Sequence, residues 1–186
     1  MTEAPQILLR HHLKQLRLPT FQGEYAKQAQ LCAAENKDHI HYLARLCEME
    51  LIDRERRMIE RRIKAAKFPS TKSLDSFDFK IMPSLNKPLT MDLARCDYVD
   101  RHQNIIALGP SGTGKTHIAL GLGLAACQRG LKVRFTTATA LVHDQIGAQD
   151  ERRLQRMQKQ LASRNLLIMP SHRCKQQVSV EGRRDR

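Results

Sequence analysis

Eight consecutive residues, Gly109, Pro110, Ser111, Gly112, Thr113, Gly114, Lys115 and Thr116, match the polyphosphate-loop pattern G-x-x-x-x-G-K-[ST] in full. Glycines at 109, 112 and 114 carry no Cβ, so successive backbone N–H groups can turn inward around an anion. A helix starting at the end of the loop would add its partial positive charge. Lys115 would then reach the β and γ phosphates of ATP, and Thr116 would give its hydroxyl to a Mg²⁺ bridging the same two groups. The alternative is a glycine-rich turn that binds nothing.

Context separates the two. The run Asn104 to Leu108 reads as a buried parallel strand, and Thr116 to Arg129 carry Ala, Leu and Gly without proline until Gly130, which suits a helix with a glycine C-cap. The motif therefore has the strand-loop-helix setting its chemistry needs. Further strands near 132–136 and 165–169 alternate with helices near 138–146 and 150–163, the pattern of an α/β parallel sheet.

Ahead of this lies a helical region. Ile7, Leu8, Leu9, Leu13 and Leu16 fall at helical spacing before Pro19, and a second helix follows from Phe21 to about Ala34. A longer helix is expected from Asp38 to Lys67, where Phe68-Pro69 ends it. Its apolar positions Ile40, Leu43, Leu46, Cys47, Leu51, Met58, Ile59 and Ile63 make a stripe, and the pairs Glu50/Arg54, Asp53/Arg57 and Glu60/Lys64 stand at i,i+4. Arg54, Arg56, Arg57, Arg61, Arg62, Lys64 and Lys67 could follow a nucleic-acid backbone, or form a salt-bridged solvated face. No recognition helix with a tight helix-turn-helix turn is visible, so base-specific reading is not supported. Residues 69–103 form a connector in which Leu85 to Cys96 suggest one more helix. Phe77 and Phe79 within it could pack on an adenine or in the core. The fold expected is thus an N-terminal helical module (1–68), a partial P-loop NTPase (AAA+-like) parallel-sheet domain (69–169) and a basic irregular tail (170–186).

The net charge is +13, and its distribution matters more than its size. Residues 1–67 hold 13 basic and 9 acidic side chains, 68–151 hold 9 and 8, and 152–186 hold 10 and 2. A near-neutral core with basic ends suggests a polyanionic partner, most simply DNA held through its phosphates without regard to sequence. The five cysteines (32, 47, 96, 127, 174) form no C-x-x-C pair and no signal segment is seen, which points to the cytoplasm. No apolar run approaches the roughly 20 residues that span a bilayer. His11-His12 and His39-x-His41 lack a carboxylate or thiol at ligand spacing. His117 reads as a helix residue rather than a catalyst, and no Ser-His-Asp or Cys-His set can be assembled.

The strings Leu74 to Phe79 (LDSFDF), Pro83 to Lys87, Ala94-Arg95-Cys96 and Ile105 to Val142 resemble the IstB-like ATPases, insertion-sequence helpers related to DnaC helicase loaders within the AAA+ class. Thr136-Thr137-Ala138 and the basic helix Asp150 to Arg156 are its most distinctive parts, and the similarity runs to about Ile168. The resemblance implies an ATP-binding helper of DNA transposition that assembles on DNA, self-associates through its N-terminal helices and acts with its element's transposase. It also implies Gly109 to Thr116 as the phosphate loop.

The family pattern follows the strand Leu166-Leu167-Ile168 with an apolar residue and an Asp-Glu pair, which fix the metal and orient the attacking water. Here the chain reads Met169-Pro170-Ser171-His172-Arg173, and Cys174 to Arg186 show no apolar periodicity. The expectation is a copy cut short after Ile168, with little or no ATP hydrolysis, or else a short natural variant with a basic tail. A helicase loader, and a nucleotide-independent DNA-binding or interaction remnant, are the alternative functions.

Overall fold

The computed structural model describes residues 3–80, 82, 85–146, 151–170 and 178–182. Most of the expected basic tail (171–177 and 183–186), together with Pro83, Ser84 and Asp150 of the family-like strings, lies outside the described residues. The chain divides into two compact units, Met1–Met58 and Ile59–Arg186.

The first unit holds helices α1 (Glu3–Gln15), α2 (Pro19–Ala34) and the larger part of α3 (His39–Ala66). Helix α2 starts two positions before the sequence suggested, because Pro19 sits in the first turn, where its missing N–H costs nothing. Asp38 begins α3 by accepting from the His41 amide at 2.8 Å. The expected apolar stripe of α3 is mostly not buried here: Leu46 is fully covered, but Ile40, Leu43 and Leu51 are exposed. The face of α3 that packs is instead a mixed one. Glu50 is buried and accepts from the Thr20 amide at 3.0 Å, while the Thr20 hydroxyl donates to Asp53 at 2.9 Å. The expected Glu50–Arg54 pair forms at 3.4 Å. Arg57, however, reaches Glu50 at 2.8 Å, leaving Asp53 to Arg56 at 3.2 Å, and the expected Glu60–Lys64 pair is not among the ion pairs of the described residues. A buried carboxylate attracts the guanidiniums around it more strongly than a solvated one does, and this rearranges the pairing.

In the second unit α4 (Lys87–Leu93) is capped by Asn86 Oδ1, which accepts from the Leu89 amide at 3.0 Å. It does not run on to Cys96 as expected, since Cys96 turns left-handed at φ +63° and starts the short α5 (Asp97–Asp100). There follow β1 (Ile105–Ala107), α6 (Lys115–Gln128), β2 (Val133–Phe135), α7 (Ala138–Ile146), α8 (Glu151–Ala162), β3 (Leu166–Pro170) and β4 (Val178–Gly182). Helix α6 ends in a Schellman motif: Leu131 N–H donates to Ala126 O at 3.0 Å and Gly130 N–H to Cys127 O at 3.2 Å, with Gly130 at φ +93°.

The sheet order is β1-β4-β3-β2. Strands β2 and β3 are parallel, with Val133 opposite Leu166 and Phe135 opposite Ile168. Strand β4 is antiparallel to both β3 and β1, so β1, β2 and β3 share one direction as expected. Strand β4 itself corrects the expected irregular tail. The alternation Val178-Ser179-Val180 suits a strand, and the slot between β1 and β3 offers unpaired N–H and C=O groups on both sides. A second correction concerns β1, expected to be buried: Ile106 is exposed on it and Leu108 beyond it.

Leu166 and Ile168 of β3 and Val133 of β2 are fully covered, packing in one core with Ala126, Cys127 and Ala66. Ala66 belongs to α3, and Ile63 packs on the same core. The last turns of α3 are therefore part of this unit, which is why the division falls at Met58 rather than at 68.

Candidate functional site

Residues 109–116 join the end of β1 to the first turn of α6. Gly112 (φ +81°) and Gly114 (φ +74°) occupy the left-handed region, and Gly114 is the N-cap of α6. A side chain at either position would be strained, so these two glycines set the path of the loop. The amides of Gly112, Thr113 and Gly114 donate to no protein acceptor among the described residues. They leave a row of open donors at the positive end of a 14-residue helix.

Lys115, the first residue of α6, is buried and folded back over this loop. Its Nζ donates to Gly109 O at 2.9 Å, to Pro110 O and to Thr113 Oγ1 at 3.1 Å. Thr113 Oγ1 in turn donates to Pro110 O at 2.9 Å. A buried ammonium without acceptors would cost several kcal/mol, on the order of the desolvation of a charge, so the loop carbonyls serve as its partners. Thr116 stands exposed beside it, and its hydroxyl has no hydrogen-bond partner among the described residues, so it is available as a ligand. No group of three or more metal-ligating side chains is gathered among the described residues. The remaining ligands of a Mg²⁺ held by Thr116 would be phosphate oxygens and water, which suits that ion.

The connector contributes a wall that sequence reasoning only half anticipated. Phe77 lies against Gly114: a Cβ on the glycine would stand 2.5 Å from Phe77 Cε2. Phe79 meets Phe77 edge-on with centroids 5.0 Å apart, and both rings remain partly exposed rather than joining the core. His117, expected to be an ordinary helix residue, contacts the same segment. Its ring lies 5.1 Å from that of Phe77, and its Nε2 is 2.9 Å from Ser73 O. Leu74 is buried over Gly121, where a Cβ would stand 2.6 Å from Leu74 Cδ2. The signal was present in the sequence as Gly114, His117 and Gly121 at helical spacing, but it has meaning only once segment 73–77 is known to lie along that face.

Of the cations on α3 considered for nucleic acid, Arg54 and Arg57 are committed to Glu50, and Arg56 to Asp53. No helix among the described residues is long and apolar enough to cross a membrane.

Comparison with known proteins adds an independent line. The family model described as IstB-like ATP binding protein matches residues 11–182. The chain is 32% identical over 161 residues to a protein of Geobacillus stearothermophilus named as an ATP-binding protein of insertion sequence IS5376, covering 87% of this chain and 64% of that one. It is 36% identical over 136 residues to the corresponding protein of insertion sequence IS21 of Pseudomonas aeruginosa, covering 72% and 51%. It is 35% identical over 158 residues to an insertion-sequence ATP-binding protein of Sinorhizobium fredii, covering 84% and 53%. The chain thus spans between about half and two thirds of the length of these curated relatives.

Proposed function

The chain belongs to the family of IstB-like ATP-binding proteins, and from that premise we propose that it is an ATP-binding helper of DNA transposition that acts on DNA together with its element's transposase. The observation that carries the reading is the loop 109–116, where open amides at a helix N-terminus adjoin a buried lysine held by weakly competing carbonyls. A triphosphate would accept from those amides, and Lys115 would leave Gly109 and Pro110 for the β and γ phosphates. Mg²⁺ would be held by Thr116 and would neutralise charge on the same phosphates.

DNA contact is assigned to the charge surplus of residues 152–186 rather than to α3, because three arginines of that helix are already paired. Self-association is supported by apolar side chains that α1 and α3 leave exposed, Ile7, Leu8, Ile40, Leu43 and Leu51 among them. A cytoplasmic setting accompanies these partners. Binding is proposed without appreciable turnover, since Met169-Pro170 at the end of β3 lead into Ser171-His172-Arg173, with no carboxylate at the positions directly after the strand.

The test is a titration of labelled duplex DNA by the full chain at two salt concentrations, with and without Mg·ATP. Binding that is indifferent to sequence, weakens steeply with salt and changes with Mg·ATP is expected. DNA binding untouched by ATP would favour a nucleotide-independent remnant, and no binding at low salt would contradict the reading.

A further inference from the structure

Gly114, His117 and Gly121 lie along one side of α6, and each meets a different residue of segment 73–77. Leu74 fills the space above Gly121, and Phe77 fills the space beside Gly114. These two contacts are permitted by missing side chains, and neither is directional. The contact between them is polar. Ser73 O can only accept, so the His117 nitrogen 2.9 Å from it, Nε2, is assigned the proton. Ser76 Oγ donates to the same carbonyl at 2.8 Å and lies 3.2 Å from Nε2, which closes a small network around one backbone oxygen. The Phe77 amide donates to Leu74 O at 3.1 Å, so the segment is a turn, and His117 fixes it at its first residue, Ser73.

We propose that His117 is a positioning residue for nucleotide binding: its Nε2–H pins the 73–77 turn to α6 and so holds Phe77, backed by Phe79, against the last glycine of the phosphate loop. The proposal rests on the nucleotide reading above and extends it. The phosphates are served by the loop amides and Lys115, which His117 does not contact, whereas the aromatic wall is placed by the turn. Both rings stay partly exposed and offer an aromatic surface on which an adenine can stack, so loosening the turn weakens the hold on the nucleoside end of the ligand and leaves the hold on its phosphates intact.

The full chain is compared with His117→Leu, which offers no donor, and His117→Gln, whose amide N–H can replace Nε2–H. Hydrogen exchange at residues 73–80 is the first readout, and the leucine variant is expected to exchange about tenfold faster there, with glutamine close to wild type. Displacement of a fluorescent ATP analogue by ATP and by inorganic tripolyphosphate is the second. Here the leucine variant is expected to lose about three- to tenfold in ATP affinity with tripolyphosphate unchanged, and glutamine to recover the loss. Equal loss for both ligands, unchanged ATP affinity, or a glutamine variant no better than leucine overturns the proposal. If the leucine variant does not fold, the glutamine variant decides, and a fall in its ATP-to-tripolyphosphate affinity ratio counts against the positioning role. Wild-type protein that binds neither ligand refutes the nucleotide reading and the positioning role with it, while the exchange data still show whether His117 pins the turn.

Discussion

Phe77 occupies the space that a side chain on Gly114 would need, with its Cε2 only 2.5 Å from the position of the absent Cβ. Gly114→Ala therefore meets two penalties, the clash and the left-handed backbone at φ +74°. Together they are expected to cost roughly 2–4 kcal/mol. Phe77→Ala removes the clash but not the backbone strain, so the double variant should recover only part of the loss. Chemical denaturation of the two single variants and the double gives the coupling, and strict additivity would contradict this packing.

Glu50 makes the first unit sensitive to acid. Burial raises its pKa, but the hydrogen bonds from Thr20 and the nearby Arg57 guanidinium outweigh that effect and hold it below the ordinary value of 4.5. A depressed carboxylate contributes stability that is complete above its unfolded-state pKa and is lost as pH falls through the folded value. Thermal melts followed by circular dichroism from pH 7 to 3 should show this loss below about pH 4.5. Glu50→Gln should lower stability by roughly 1–3 kcal/mol at pH 7 and flatten the acid dependence. An unchanged acid slope in that variant would assign the sensitivity to other groups.

The cysteines offer a check on the second core. Cys47 is exposed, whereas Cys32, Cys96 and Cys127 are buried. Burial pushes the Cys127 thiol up to about 11, so at pH 8 about a thousandth of it would be thiolate even when reached. Native labelling with a thiol reagent should modify Cys47 within the first minutes and Cys127 only on unfolding. Equal rates at the two sites would mean that the packing around Leu166 and Ile168 is not formed. Cys174 lies outside the described residues.

The parallel strands and the strand-loop-helix around residues 109–116 were legible because their signals are local. Eight residues with a fixed glycine spacing, an apolar run before them and a Gly130 stop after them name a strand, a loop and a helix in order. What was not legible depends on contacts between distant residues. Strand β4 is five residues long and becomes a strand only in the slot between β1 and β3. Glu50 looked like one half of an i,i+4 surface pair, and only the Thr20 amide explains its burial. The stripe through Ile40, Leu43 and Leu51 follows helical periodicity, yet periodicity does not say whether a partner within the unit covers it.

Turnover should be separable from binding. The account expects phosphate release at background level, because Ser171-His172-Arg173 directly after β3 supply no acid to orient a water, a loss of about 10²- to 10⁴-fold alone. Phosphate release by the purified chain, with and without duplex DNA, measures this. DNA-stimulated release abolished by Lys115→Ala would mean that a carboxylate elsewhere, such as Asp144 or Glu181, serves as the acid.

The most direct measurement is equilibrium binding of labelled ATP, with Mg²⁺, to the wild-type chain and to Lys115→Ala. The account predicts saturable binding to the wild type and a loss of affinity of at least about 100-fold in the variant, since a charge-assisted contact to two phosphates disappears. No saturable binding by the wild type, or binding that survives the loss of Lys115, would contradict it.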